Sequence, residues 1–308
     1  MRVIPLAAES LGVRSMATYV EAGGTAILID PGATLAAARY GLPPAEAEWD
    51  ALRRANDRIS AYAARADLVF VSHYHEDHYR SDPATYAGRT VLAKEPRRMV
   101  GGQQSRRGIA LWRALEGVAT LEAADGWRRR EPQVELVVSP PLPHGAEGTP
   151  LGYVVALTVV DTAERERFVF ASDVQGPLSA VAVGWLIQQR PTLLYLSGPP
   201  SYIERELPDG AIERGIDHLL RVIDATGCRV IMDHHALRDP AFEVRFDRLW
   251  STHRVVTAAE HLGVQTLALE ARRRALWGGA RKAPAAARPS GAIITRTPRT
   301  FARRGNAE

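Results

Sequence analysis

The stretch of residues 67–78, DLVFVSHYHEDH, places an apolar run directly before three histidines and one aspartate. The run itself, residues 68–71, is typical of a short buried strand. The polar residues after it are His73, His75, Asp77 and His78. Folding does not require three histidines after an apolar strand, whereas zinc, iron and manganese bind imidazole and carboxylate groups. The stretch therefore predicts a metal site at the end of this strand; the alternative is a solvated, histidine-rich turn.

Four further histidine and aspartate residues follow apolar runs downstream, in the order His144, Asp173, His234 and His235. Taken alone, each is typical of a turn or capping residue after a strand. Their order after the first cluster is similar to that of the remaining ligands in the metallo-β-lactamase superfamily, which the first cluster resembles, and this resemblance implies a shared metal site. Because neighbouring residues of an extended segment point to opposite faces, we expect only one of His234 and His235 to bind metal, and prefer His234. The other would support a ligand or contact substrate.

The H-x-H-x-D-H spacing of residues 73–78 resembles the signature of the metallo-β-lactamase superfamily, and the resemblance covers about residues 1–270. Segments 9–21, 172–177 and 233–239 are closer still to one branch, the predicted metal-dependent hydrolases found largely in archaea and heat-adapted bacteria. The resemblance implies an α/β fold, a four-layer αββα sandwich of two mixed β-sheets flanked by helices. It also implies that residues 1–270 form one hydrolase domain.

The resemblance further implies two divalent metal ions bridged by Asp173. The ligands of the first ion would be His73, His75 and His144, and those of the second Asp77, His78 and one C-terminal histidine. Zinc is the usual metal, with iron and manganese left open. An anionic bridge stabilises two cations held close together, and a water that they share loses a proton near neutral pH. The implied reaction is attack of this bridging hydroxide on an ester or phosphodiester bond, with Asp77 as the catalytic base.

Four other residues are candidates for supporting the ligands or the substrate. Asp30 ends a strand before Pro31-Gly32, where it can accept a hydrogen bond from a ligand imidazole or serve the turn alone. Arg14, Tyr202 and Arg238 are candidates for holding an anionic substrate, since the planar guanidinium matches carboxylate and phosphate groups. For each of these three, the sequence favours a structural or surface ion pair over substrate binding.

Three classes of function compete. The leading one is a metal-dependent hydrolase acting on a small-molecule or phosphodiester substrate. The second is a mononuclear iron dioxygenase of the same fold, which uses a similar ligand set. The third is a role on nucleic acid, as a processing nuclease or as a binding protein without catalysis. No inserted domain or Gly-rich arm of the kind found in RNA-processing members is visible, which favours a small molecule.

The charge of the chain is divided unevenly. Residues 271–308 hold ten basic residues against one acid, whereas residues 1–270 hold 29 basic against 34 acidic. The C-terminal part is rich in Ala, Pro, Gly and Arg, so we predict a basic, disordered tail. Such a tail is able to contact nucleic acid, but the Arg bias of the whole chain favours compositional drift.

The remaining composition is that of a globular protein. With 308 residues and 46% hydrophobic residues there is ample material for one core. No apolar run approaches the roughly 18 residues of a membrane span and no signal peptide is apparent, so a cytoplasmic location and no membrane partner are expected. Cys228 is the single cysteine. A homo-oligomer is left open. The patterns predict a hairpin at 16–30, helices at 44–66, 109–115, 178–189, 212–226 and 240–262, and strands at 68–72, 90–93, 134–138, 152–161, 167–172, 192–197, 229–233 and 265–269.

Overall fold

Strands and helices alternate along most of the chain as the apolar patterns predict, and the computed structural model describes residues 1–279 and 294–295. The elements of the first half are β1 (Arg2–Pro5), β2 (Thr18–Ala22), β3 (Thr25–Ile29), β4 (Leu35–Ala36), α1 (Glu46–Ala63), β5 (Leu68–Val71), β6 (Thr90–Ala93), α2 (Gly102–Leu115) and β7 (Thr120–Ala123). Those of the second half are β8 (Arg128–Arg130), β9 (Val134–Val138), β10 (Leu142–Pro143), β11 (Tyr153–Val154), β12 (Leu157–Asp161), β13 (Glu166–Ala171), α3 (Ala180–Gln189), β14 (Leu193–Ser197), α4 (Ala211–Thr226), β15 (Arg229–Asp233), α5 (Phe242–Arg245), α6 (Asp247–Trp250), β16 (Val255–Val256), α7 (Ala258–His261), α8 (Arg273–Gly279) and β17 (Ile294–Thr295).

Two large mixed sheets carry the fold. The first has the strand order β1-β2-β3-β5-β6-β7, antiparallel as far as β3 and parallel beyond it. The second has the order β16-β15-β14-β13-β12-β9-β8, antiparallel from β8 to β13 and parallel from β13 to β16. Each sheet therefore has an antiparallel side and a parallel side. Short pairs join β10 to β11 and β17 to β4.

Alternation along the strands divides the apolar residues among three cores. On β5, Leu68 and Phe70 face the second sheet, while Val69 and Val71 face α1 and α2. A third core packs α3, α4 and α6 against the outer face of the second sheet. Helix, sheet, sheet and helix therefore form four layers, and the predicted αββα architecture is confirmed. Among the described residues, no helix has both the length and the apolar character that crossing a membrane requires.

The parallel strands of both sheets end at one edge of the molecule. Asp30 follows β3, Ser72 follows β5, and Asp173 lies two residues after the end of β13. His234 follows β15 directly. Side chains that are distant in sequence are therefore brought to a common place, as expected for the carboxyl ends of parallel strands.

Two predictions for the C-terminal third are wrong. The single helix expected over 240–262 is replaced by α5, α6, β16 and α7. His253 has a φ of 54°, a left-handed conformation that an α-helix cannot contain, so the chain turns between α6 and β16. The strand expected over 265–269 does not form, and Ala268 there has a φ of 42°. In addition, the strand expected over 152–161 divides into β11 and β12.

The boundary predicted after residue 270 also differs from the structure. Arg273, the first residue of α8, is fully buried and makes two-pronged hydrogen bonds of 2.7–3.1 Å to the Glu48 carboxylate. The indole of Trp277 donates to the Pro43 carbonyl at 2.9 Å. Arg273 and Trp277, which belong to the expected tail, thus pack on the folded body. Residues 280–293 and 296–308, which hold the rest of that tail, lie outside the described residues.

Candidate metal centre

The Asp30 carboxylate holds the loop that carries the first histidine cluster. Its Oδ1 accepts a hydrogen bond from the Ser72 backbone N–H at 2.7 Å, and its Oδ2 accepts one from the Ser72 hydroxyl at 2.5 Å. Oδ2 also lies 2.9 Å from His78 Nδ1. Asp30 is fully buried, so these contacts are shielded from water. The hydrogen bond expected between Asp30 and a candidate ligand imidazole is therefore present, and it directs His78 Nε2 away from Asp30.

Glycine is required next to this loop. A Cβ atom on Gly32 would lie 2.5 Å from the backbone nitrogens of His78 and Tyr79, closer than any side chain tolerates. The Ser15 hydroxyl donates to the Gly32 carbonyl at 2.5 Å, which fixes the loop from its other side. The Pro31-Gly32 pair thus lets two backbone segments approach closely under the histidine cluster.

A first group of four ligand-type atoms converges within hydrogen-bond distance. His75 Nδ1 lies 3.1 Å from His73 Nε2 and 3.3 Å from His144 Nε2. Asp173 Oδ2 lies 3.4 Å from His73 Nε2 and 3.2 Å from His144 Nε2. A tetrahedral ion with bonds of 2.0–2.1 Å requires ligand atoms about 3.4 Å apart. Four of the six distances in this group are close to that value, and all four atoms lie within 4.8 Å of one another, so the group can surround a single ion.

Neutral side chains orient the rings of this first group. The Ser72 hydroxyl lies 2.9 Å from His73 Nδ1, and the Gln175 amide lies 3.4 Å from His144 Nδ1. Because the Ser72 hydroxyl donates to Asp30, it accepts from His73 Nδ1, and His73 Nε2 directs its lone pair into the group. Neither Ser72 nor Gln175 was predicted to have a role, although both lie within the part of the chain that the superfamily resemblance covers.

A second group lies beside the first. His78 Nε2 and His234 Nε2 are 3.3 Å apart, and Asp77 lies 3.9 Å from the former through Oδ1 and 3.6 Å from the latter through Oδ2. Asp173 contacts this group too, with Oδ2 3.6 Å from His78 Nε2 and Oδ1 3.8 Å from His234 Nε2. One carboxylate thus touches both groups.

His235 also faces the centre, contrary to the expectation that neighbouring residues point to opposite faces. His234 has a φ of 57°, so the chain leaves the extended conformation immediately after β15. The two rings consequently lie 4.5 Å apart at an interplanar angle of 33°. His235 Nε2 is 3.8 Å from Asp173 Oδ2, and its ring lies 6.3 Å from that of Tyr202.

Buried polar atoms without partners support the presence of a cation at this centre. Asp173 Oδ1 and His235 Nδ1 are buried and make no hydrogen bond. Leaving such atoms buried without a partner is costly, and a carboxylate oxygen is the costlier of the two. A cation near Asp173 Oδ1 would remove that cost, so the donor set fits the divalent ions that the resemblance implies.

Burial and neighbouring charges hold most of these groups in the protonation state that metal binding needs. Burial, helped by His78, lowers the pKa of His73 to about 4, and burial lowers that of His235 to about 3. Burial raises the pKa of Asp173, but the surrounding imidazoles outweigh it and bring the pKa well below its usual range. His78 is the exception: burial lowers its pKa, but Asp173 and the hydrogen bond to Asp30 outweigh this and raise it to about 9. In the absence of a metal, the imidazole of His78 is therefore protonated at neutral pH.

The arginines considered for substrate binding both lie in buried ion pairs. Arg14 donates two hydrogen bonds of 2.6 Å to Glu270. Arg238 donates from Nε to Glu9 at 2.6 Å and from Nη1 to the Tyr202 hydroxyl at 3.2 Å. Glu9 and Glu270 were not recognised from the sequence, because each meets its partner across more than 200 residues.

Similarity to known proteins extends over most of the chain. The UPF0282 protein of Thermococcus gammatolerans is 44% identical over 290 residues, which cover 90% of this chain and 95% of the relative. The chain belongs to the UPF0282 family. A family model of the metallo-β-lactamase superfamily matches residues 12–84 of this UPF0282 member, the part that contains the first histidine cluster.

Solved structures agree with that assignment. An isothiocyanate hydrolase from Delia radicum gut bacteria superimposes with a TM-score of 0.52 at 14% identity, covering 80% of this chain and 94% of the other. A metal-dependent hydrolase of the β-lactamase superfamily superimposes with a TM-score of 0.50 at 12% identity, covering 84% and 96%. The UPF0282 chain therefore has the metallo-β-lactamase fold, as the sequence predicts.

Proposed function

We propose that this protein is a metal-dependent hydrolase whose centre holds two divalent ions, with zinc the best match to its donors. The first position would be formed by His73, His75 and His144, and the second by Asp77, His78 and His234. The observation that carries the proposal is Asp173, whose carboxylate lies 3.2–3.8 Å from imidazole nitrogens of both groups. A buried carboxylate shared in this way is what two neighbouring cations require.

Bound ions would activate water and polarise the carbonyl or phosphoryl group of an ester or phosphodiester substrate. The residues of the chain supply orientation and proton handling. Burial raises the pKa of Asp77, but His78, His234 and Arg238 together outweigh it and bring the pKa well below its usual range, so Asp77 is ionised at neutral pH. An ionised Asp77 can accept a hydrogen bond from the attacking water and orient it. Asp30 keeps the His78 ring in one orientation throughout.

The mononuclear iron dioxygenase remains a second candidate because the two groups are unequal. The four shortest contacts of the first group measure 3.1–3.4 Å, whereas those among Asp77, His78 and His234 measure 3.3–3.9 Å. A centre built for one ion would show this difference. Its donors, imidazole and carboxylate, also suit iron.

Metal analysis paired with activity assays separates the two proposals. The native protein, Asp173→Ala and the matched surface control Asp217→Ala would be analysed for zinc, iron and manganese. All three would then be tested on a generic phosphodiester and on a panel of esters, thioesters and lactones. We expect about two zinc ions per chain and hydrolysis in the native protein and in the control. Asp173→Ala should lose the zinc ions and the hydrolytic activity. About one iron per chain without hydrolysis would instead support the dioxygenase.

A further inference from the structure

A buried guanidinium lies against the second group of ligands. Arg238 is 4% exposed, and its Nη2 lies 3.1 Å from Asp77 Oδ2. The same nitrogen lies 3.1 Å from His234 Nε2 and 3.3 Å from His234 Nδ1. Two of the three residues proposed to be specific to the second position are therefore in direct contact with one positive charge.

The contact leaves the metal-binding lone pair of His234 free. An atom almost equally distant from both ring nitrogens cannot lie in the ring plane at this range, because it would collide with the carbon between them. Nη2 therefore lies over the face of the imidazole, whereas the Nε2 lone pair points outward in the ring plane. Arg238 is a neighbour of a second ion, not a replacement for one.

The first group has no equivalent contact among its supporting side chains. The outer nitrogens of His73 and His144 face Ser72 and Gln175, which are both neutral. Arg238 is held in place on its far side by Glu9 and Tyr202, at 2.6 and 3.2 Å. Among the residues that the structure describes, the positive charge of Arg238 is thus fixed beside the second proposed metal position.

The distance between Arg238 Nη2 and a second bound cation determines how strongly the guanidinium weakens the binding of that cation. A cation bound to Asp77 Oδ2 or His234 Nε2 would lie within about 5 Å of Nη2, since metal–ligand bonds add about 2.1 Å to the 3.1 Å contacts. At that separation, repulsion between a single and a double charge weakens binding by more than about tenfold even in a medium as polar as water. The Asp77 carboxylate shared with the guanidinium is a weaker donor to the ion as well.

We infer that Arg238 is a positioning residue that makes the two metal positions unequal, holding the affinity of the second position below that of the first. The inference rests on the proposed two-ion centre. The second ion would consequently be exchanged at metal concentrations that leave the first in place, and occupancy of the second position would control how much of the protein is active. Arg238 orients Asp77 and at the same time limits how tightly Asp77 holds metal.

Stepwise metal binding tests this without any substrate. Metal-free wild-type protein, Arg238→Gln, Arg238→Lys and the matched surface control Arg248→Gln would be titrated with Zn²⁺ by equilibrium dialysis and elemental analysis. We expect Arg238→Gln to tighten the second dissociation constant at least about tenfold while changing the first less than about threefold. Arg238→Lys keeps the charge, and Arg248→Gln removes one that lies far from the centre, so both should resemble the wild type.

A double variant keeps the test valid if the single variant Arg238→Gln does not fold. Glu9→Gln combined with Arg238→Gln removes both partners of the buried pair, and the second dissociation constant should again tighten. A purely structural role of Arg238 predicts the opposite sign, because a disordered Asp77 would bind metal more weakly; weakened or unchanged second binding in both variants overturns the inference. If no protein in the series binds a second ion while all bind one, the two-ion centre itself is wrong and the inference fails with it.

Discussion

At the scale of single residues, the centre depends on side chains that each satisfy two demands. Asp173 touches both ligand groups, and Asp30 fixes Ser72 and His78 together. Such sharing means that removing one carboxylate disturbs several partners at once. His234 and His235 are adjacent in the sequence and both face Asp173, but their other neighbours differ.

His234 and His235 should differ in metal content when each is replaced by alanine. His234 lies in one group with Asp77 and His78, whereas His235 forms a group only with Asp173, at 3.8 Å, and His234. We expect His234→Ala to lose about one metal ion per chain and His235→Ala to keep both. Elemental analysis of the purified variants checks this, and loss of metal from His235→Ala alone would reverse the assignment.

Glu270 should make stability depend on pH in the acid range. Burial raises the pKa of its carboxyl, but Arg14 outweighs burial and lowers the pKa to about 2, from a usual value of 4.5. A lowered folded-state pKa stabilises the protein above pH 4.5, and this contribution is lost as the pH falls towards 2. The free energy of unfolding should therefore fall across this window by up to roughly 3 kcal/mol through Glu270.

Urea denaturation between pH 3 and 7 measures that dependence. Glu270→Gln should be less stable than the wild type at neutral pH, because Arg14 loses its buried partner, and should show a flatter acid limb. The exposed Glu213→Gln serves as the control and should follow the wild type. If the free energy of unfolding of Glu270→Gln fell as steeply at acid pH as that of the wild type, the contribution of the Arg14–Glu270 pair would be refuted.

At the scale of elements, the sequence predicted correctly those strands whose positions are determined by the spacing of apolar residues. The central strands β5, β6, β9 and β15 lie where expected because their residues are buried on both faces. The region after β15 was predicted wrongly because single residues with positive φ, such as His253 and Ala268, are set by tertiary contacts and leave no periodic signal. The eight candidate ligands could be found because each follows a strand, whereas Glu9 and Glu270 could not, since only the folded chain brings them to Arg238 and Arg14.

The helix α8 should contribute substantially to stability, although its sequence resembles the start of a tail. Arg273 and Glu48 are both fully buried, and Arg273 also donates to the carbonyls of Ala36 and Leu42 at 3.1 Å. Arg273→Met would leave the Glu48 charge buried without its partner, at a cost of about 3–5 kcal/mol. Urea denaturation compares this variant with the exposed neighbour Arg272→Met, for which a change below about 0.5 kcal/mol is expected. Equal stability of the two variants would show that α8 does not dock in solution.

At the scale of the whole molecule, the candidate metal centre joins the two halves of the sandwich. The first sheet contributes the loop after β5, and the second contributes Asp173 and His234 after β13 and β15. Beneath the centre, Phe70 of the first sheet and Phe170 of the second belong to one core between the sheets. Neither half alone holds all the residues of either proposed position, because His144 and His234 lie in the second half and His73 and His78 in the first. Metal binding should therefore be coupled to the stability of both halves.

Zinc should raise the unfolding midpoint of the whole chain in one step. A ligand that binds only the folded state stabilises it by about 2.7 kcal/mol at a free concentration one hundred times its dissociation constant. Unfolding of chelator-treated and zinc-supplemented protein can be followed by the fluorescence of tryptophans in both halves, among them Trp49 and Trp185. We expect one transition that moves upward with zinc in the wild type and stays fixed in Asp173→Ala, because that variant lacks the carboxylate shared by the two groups. A zinc-dependent shift confined to one of two transitions would mean that the halves unfold separately and that the centre does not link them.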